Sequence, residues 1–141
     1  MGGTRSRDKG KRGEREMIDL LQPIVDEVYA AHEMEPPRLQ RNTLQSDRGG
    51  CDMAGLGWLA LEVKRQETLA VAAWWKQALQ QAACGQTPVL VYRRNNAPWR
   101  VRIHGNAGAG AVQHPAVVEI ELQDFLRWFR FRLSYELNLT R

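Results

Sequence analysis

Trp58-Leu59-Ala60-Leu61-Glu62-Val63-Lys64 is the stretch on which the fold turns. Four apolar residues run into Glu-Val-Lys, and the segment has strand character. Side chains two apart on a strand project to one face. Ala60, Glu62 and Lys64 therefore share a face, and Leu59, Leu61 and Val63 pack on the other. An acid and a base side by side on a strand, with the acid Asp52 close upstream, can hold a divalent metal and orient a water. That chemistry suits hydrolysis of a phosphodiester. Charged residues make up ~25% of an average protein, so an acid-x-Lys triplet carries meaning only through its surroundings.

Upstream, Cys51-Asp52-Met53-Ala54 is followed by Gly55-Leu56-Gly57, a hairpin turn by composition. The hairpin is expected to bring Asp52 close to Glu62. Arg38 to Leu44 reads as an extended strand, followed by the polar turn 45–50. Residues 14–31 read as a helix, because Met17, Ile18, Leu21, Ile24, Val25 and Val28 recur at helical spacing. Pro23 interrupts it, and an interior proline predicts a bend or two consecutive helices. Glu14 continues the apolar stripe at the helix start and is the acid expected to face the sheet.

Downstream, residues 71–84 read as a helix with Val71, Trp74, Trp75, Ala78, Leu79 and Ala82 on one face and Gly85 as its cap. Val89 to Tyr92 and Trp99 to Ile103 form a predicted β-hairpin. After Val117-Val118-Glu119-Ile120, the last helix spans about 122–137. One of its stripes is Leu122, Phe125, Leu126, Phe129 and Leu133, and a second is Trp128, Phe131 and Tyr135. A helix with two apolar faces is wrapped from both sides or pairs with another chain.

The 141 residues amount to one domain, with 43% hydrophobic and 26% charged residues as in an ordinary soluble protein. No apolar run approaches the ~20 residues needed to span a bilayer. No hydrophobic segment follows the basic N-terminus, so a secretory signal is not expected. Cys51 and Cys84 form neither a disulfide framework nor a zinc site, and an intracellular setting, cytoplasmic or at the nucleoid, follows. His32, His104 and His114 lack ligand spacing, and the cysteines read as buried thiols. Residues 1–13 form an expected flexible basic arm, with 14–141 as the folded domain. Arg5, Arg7, Lys9, Lys11, Arg12 and Arg15 against Asp8 and Glu14 account for the whole net charge of +4. Such an arm suits a polyanion.

The acids and their order resemble those of the PD-(D/E)xK nucleases. The stretch Lys9-Gly10-Lys11-Arg12-Gly13-Glu14-Arg15-Glu16 resembles the start of the archaeal-type Holliday junction resolvases, with its basic segment, Lys-Gly pair and helical Glu-Arg. The resemblance spans about residues 9–92 and implies an α/β fold, a restriction-endonuclease-like mixed central sheet flanked by helices. By position it implies Glu14 as the helical acid, Asp52 as the first-motif acid, Glu62 and Lys64 as the paired motif, and Gln77 as the glutamine of the following helix. Ser46 and Arg48 fall in the loop that contacts DNA in that family. Cys51 stands where the family name places proline, a position that supplies no metal ligand.

Hard oxygen ligands suit Mg²⁺ or Mn²⁺. Asp52, Glu62 and the Val63 carbonyl are the expected ligands, with Glu14 reaching a second metal or a water. Lys64 would hold or help deprotonate the attacking water. Three acids are thus expected to converge around one ammonium group at the sheet's rim. The resemblance implies a Mg-dependent endodeoxyribonuclease for branched DNA, and paired cuts across a junction imply a homodimer. A repair or replication nuclease with another DNA substrate, or a non-catalytic DNA-binding protein, are the alternatives. Each feature alone has an ordinary reading. Glu62 and Lys64 would then be a solvated pair worth ~0–1 kcal/mol, Asp52 a turn residue and Gln77 an exposed helical side chain. Their joint order favours catalysis.

Overall fold

A computed structural model describes residues 3–42, 52–106 and 115–140. Within them the chain runs α1 (Gly3–Ala31), β1 (Gln40–Arg41), β2 (Met53–Ala54), β3 (Leu59–Arg65), α2 (Val71–Gln81), β4 (Thr87–Arg93), β5 (Arg100–Asn106), β6 (Pro115–Glu121) and α3 (Leu122–Leu139). Four strands form a mixed sheet in the order β3-β4-β5-β6. β3 and β4 are parallel, while β4–β5 and β5–β6 are antiparallel. Parallel neighbours need a crossover, and α2 supplies it. The fold is α/β, a four-stranded mixed sheet flanked by helices.

The alternation read from the sequence is borne out. Leu59, Leu61 and Val63 enter the main core with Val89, Val91, Val101 and Ile103, under Met17, Leu21 and Val25 of α1 and Phe125, Phe129 and Leu133 of α3. On the opposite face Trp74, Trp75 and Ala78 of α2 cover Leu90 and Tyr92. Those two residues pair in register with Glu62 and Lys64. Among the described residues no helix is long and apolar enough to cross a membrane.

Several boundaries differ from expectation. α1 begins at Gly3 rather than Glu14, so residues 3–13 of the expected basic arm are helical. Tertiary contact explains this. Gly13 is buried, and a Cβ there would stand 3.2 Å from Arg65 Cβ and 3.4 Å from a Val63 methyl. The helix backbone therefore lies directly on the end of β3. Glu16 pairs with Arg65 and, at 2.9 Å, with Arg93. Pro23 does not divide the helix. It is exposed, as is Asp19, whose carbonyl loses its helical partner and can turn to water.

The strand expected from Arg38 shrinks to β1 within the described residues. β2 pairs with β1 rather than forming a ladder with β3. α2 stops at Gln81, and Gly85 is not its cap. Gly85 has φ +85 and sits in a turn closed by Gln86 N–H donating to Ala83 O at 3.0 Å, a place that favours glycine. Leu79 is 40% exposed, outside the narrower buried stripe of Trp74, Trp75 and Ala78. Cys84 is exposed, not buried.

Candidate active site

Asp52 reaches β3 through its backbone and its side chain. In the parallel ladder the even residues of β3 bond to β4, so the odd residues turn their peptide groups to the free edge. There the Asp52 N–H donates to the Leu61 carbonyl at 2.9 Å, and the Val63 N–H donates to Asp52 Oδ2 at 2.7 Å. The Gly55 to Gly57 turn does bring Asp52 to the strand, by these two bonds instead of a hairpin ladder. Gly55 has φ +127, a conformation favouring glycine.

Among the described residues Asp52 and Glu62 are the buried charged side chains, 6% and 1% exposed. Burial, then the Asp52 charge, push the Glu62 carboxyl up to about 8, opposed by Lys64. Lys64 Nζ stands 4.0 Å from Glu62 Oε2 and is partly exposed. A solvated surface pair does not describe Glu62.

Glu14 lies on α1 one residue beyond the close approach of Gly13. Its carboxyl is pushed up by burial and by Asp52, and held down by Arg41 and Lys64. Arg41 Nε donates to Glu14 Oε2 at 2.5 Å. The three acids thus come within electrostatic reach of one another. Glu14, however, is drawn to Arg41. Among the described residues no group of three His, Cys, Asp or Glu side chains could hold a metal. The expected convergence of three acids is therefore a pair with a third nearby.

The remaining donor set fits an oxygen-preferring divalent ion. Mg²⁺ is commonly held by one or two carboxylates, with waters and substrate phosphates completing the shell. Asp52 keeps Oδ1 beyond its bond to Val63, and Glu62 adjoins it. The Val63 carbonyl lies on the same free edge as its N–H. Ionising Glu62 beside Asp52 calls for a cation.

Gln77 is half-buried on α2, on the sheet face of Glu62 and Lys64. Lys11, Arg12 and Arg15 are exposed on α1, and Lys9 pairs with Glu67 at 3.5 Å. The side chains of Arg5 and Arg7 lie outside the described residues, as do Ser46, Arg48, Cys51 and His114. Sequence reasoning missed Arg41, because nothing local couples it to an acid 27 positions earlier. It also gave Gly13 no packing role, although a glycine inside an amphipathic helix is a signal of close approach.

Two cavities lie away from the acids. One of about 360 Å³ is lined by Arg93, Trp99, Arg100 and Leu122 among others. Another of about 400 Å³ is lined by Glu16, Asp19, Leu20, Trp99 and Leu122. Asp52 and Glu62 sit at the free edge of β3, apart from both. No protein-family model, curated protein or solved structure matches this chain.

Proposed function

We propose that this chain is a metal-dependent DNA endonuclease of the PD-(D/E)xK type, with a restriction-endonuclease-like sheet, acting on branched DNA such as a four-way junction. The observation that carries the reading is the buried Asp52–Glu62 pair at the free edge of β3, with Lys64 Nζ 4.0 Å from Glu62. Burying two carboxyls together is unfavourable without a cation or a shared proton. A fold that keeps them so has a use for the site, as perturbed pairs in functional centres do.

Asp52, Glu62 and the Val63 carbonyl would hold Mg²⁺ or Mn²⁺. When bound, the ion would supply Lewis acidity at the phosphate and a lowered pKa for water. The Val63 N–H fixes one Asp52 oxygen, so that the other is aimed. Glu62 would have to give up its proton to serve as a ligand. Lys64 would orient the attacking water, whose proton passes to solvent, and as an ammonium would offset charge growing on the phosphate. Gln77 would position substrate or water from α2. Lys9, Lys11, Arg12 and Arg15 would follow the backbone of the DNA, with Arg5 and Arg7 extending the track. Two cuts across a junction need two sites and so a homodimer. The exposed Phe131 and Tyr135 of α3 supply its surface.

The test incubates labelled four-way junction and linear duplex with the protein, in Mg²⁺ or in EDTA. Junction cutting in Mg²⁺ alone is expected, lost by at least ~10³-fold in Glu62→Ala and Lys64→Ala while DNA binding persists. Absence of metal-dependent products on either DNA would falsify the enzymatic reading, and equal cutting of both would remove the preference for branches. A second reading, a DNA-binding protein without catalysis, draws on the Glu14–Arg41 ion pair, which occupies the third acid. It predicts salt-sensitive binding untouched by Glu62→Ala, and no products.

A further inference from the structure

Arg41 is the one basic residue of the centre that the proposed chemistry leaves without a task. Its Nε lies 2.5 Å from Glu14 Oε2, and the two side chains are only 26% and 17% exposed. It belongs to β1, and the next residue is bonded to the site itself, since the Asn42 N–H donates to the Asp52 carbonyl at 2.9 Å. Through Glu14 it also faces Asp52, Lys64 and Glu62, all near enough for their charges to act on Glu14 or to be acted on by it. Arg41 therefore plays the part of a resident cation among three acids.

A second cation must compete with it. Bringing a divalent ion to Asp52 and Glu62 places like charge near the guanidinium and finds Glu14 already neutralised. Guanidinium binds phosphate in bidentate fashion at least as well as it binds carboxylate. A backbone phosphate entering the site thus offers Arg41 another partner.

Resting on the nuclease reading above, we propose that Arg41 gates the metal centre. In the free protein the Arg41–Glu14 ion pair withholds Glu14 and weakens divalent-cation binding. A DNA phosphate draws Arg41 away and releases Glu14 to the shell of the cation. Arg41 is thus a positioning residue, and cation and DNA bind cooperatively. Because coupling between two ligands is reciprocal, each tightens the other. The gate would keep the centre weakly loaded until a phosphodiester is present.

The experiment titrates Mn²⁺ into the full chain, following the free ion by electron paramagnetic resonance. Titrations run with and without a phosphorothioate four-way junction, which keeps its backbone charge and resists hydrolysis. Wild type, Arg41→Gln, Glu14→Gln and the double variant are compared. The junction is expected to tighten Mn²⁺ binding by the wild type about tenfold, the scale of one charge-assisted hydrogen bond. Arg41→Gln should bind Mn²⁺ about tenfold tighter than wild type without DNA and gain little from the junction. In the Glu14→Gln background, replacing Arg41 should tighten Mn²⁺ binding much less than it does in the wild type, a non-additivity that a merely structural role would not produce.

Unchanged or weaker Mn²⁺ binding in Arg41→Gln, or full junction coupling in that variant, overturns the gate. Should Arg41→Gln not fold, the wild type and Glu14→Gln decide the matter, since coupling must be present in the first and lost in the second. Mn²⁺ binding that is equal with and without junction, yet lost in Glu62→Ala, removes the gate and leaves the nuclease reading standing. No Mn²⁺ binding in any state removes both.

Discussion

On one face of β3, Leu59, Leu61 and Val63 lie in the core beneath α1 and α3. On the other face Ala60, Glu62 and Lys64 lie on the side of α2, whose buried residues are Trp74, Trp75 and Ala78. Alternation along one strand thus divides the labour between faces. The apolar face joins two helices to the sheet, and the α2 face tolerates a carboxyl that is 1% exposed. Stability and the proposed chemistry are separated by the pleat and not by distance. Substitutions one residue apart should therefore behave as though they belonged to different parts of the molecule.

The largest effect is expected on the apolar face. Leu61→Ala deletes a side chain that is 1% exposed and should destabilise by about 3 kcal/mol, since the core beneath two helices cannot collapse freely. Urea unfolding monitored by tryptophan fluorescence would measure it. Leu79→Ala on α2 removes a residue that is 40% exposed and should cost under about 0.5 kcal/mol. Comparable losses at both positions would erase the contrast.

The next effect carries the opposite sign. Glu62 holds its proton up to about 8 in the folded chain and releases it near 4.5 when unfolded. Folding therefore takes up a proton between those values. The contribution of this carboxyl is fully present below pH 4.5 and is lost as pH rises towards 8. Glu62→Gln, which has no proton to lose, should be more stable than wild type at pH 8 by on the order of 2 kcal/mol and equal to it at pH 4. Mn²⁺ favours the ionised pair, so its stabilisation of the wild type should grow with pH and vanish in Glu62→Gln. A melting temperature of the wild type in EDTA that is flat from pH 5 to about 8 would contradict this assignment.

The strand and its two faces were legible because a period of two is a local property, visible within Leu59 to Lys64. The approach of Asp52 was legible from Gly55-Leu56-Gly57, although the bonds that secure it were not. Nothing local announces that Arg41 meets Glu14, for that pairing exists only once α1 and β1 lie side by side. The start of α1 was misread for the same kind of reason. Thr4, Ser6, Gly10 and Gly13 are weak helix formers, and what favours the helix is contact with β3 and the Glu16 pairs with Arg65 and Arg93. Composition sees propensity; it does not see the partner that overrides it.

Two glycines on that helix sharpen the point. Nothing lies within 4 Å of a Cβ added at Gly10, whereas at Gly13 it would meet Arg65 Cβ at 3.2 Å and Trp99 at 3.5 Å. Gly10→Ala should stabilise by about 0.5–1 kcal/mol through reduced backbone entropy. Gly13→Ala should instead destabilise by about 1 kcal/mol, because Arg65 Cβ is anchored to the strand and cannot swing aside. The same displacement moves Glu14, so Gly13→Ala should also weaken metal-dependent cutting, while Gly10→Ala should not. Equal shifts in the two melting curves would mean that α1 does not rest on β3.

The smallest effect on stability is expected at the far side of α3, where the second aromatic stripe divides. Trp128 is engaged by Trp58, with ring centroids 6.2 Å apart, and Arg132 lies over the Trp58 ring at 5.0 Å. Phe131 and Tyr135 are left 71% and 51% exposed. Phe131→Ser removes little buried surface within the chain, so its unfolding free energy should change by less than about 0.5 kcal/mol. Its effect should fall on association. If two copies meet through this stripe, sedimentation of the wild type shows a dimer and Phe131→Ser shifts it towards monomer, with paired cuts across a junction becoming independent. A wild type that stays monomeric at every concentration, or a dimer indifferent to Phe131→Ser, would assign the exposed aromatics no part in pairing the two sites.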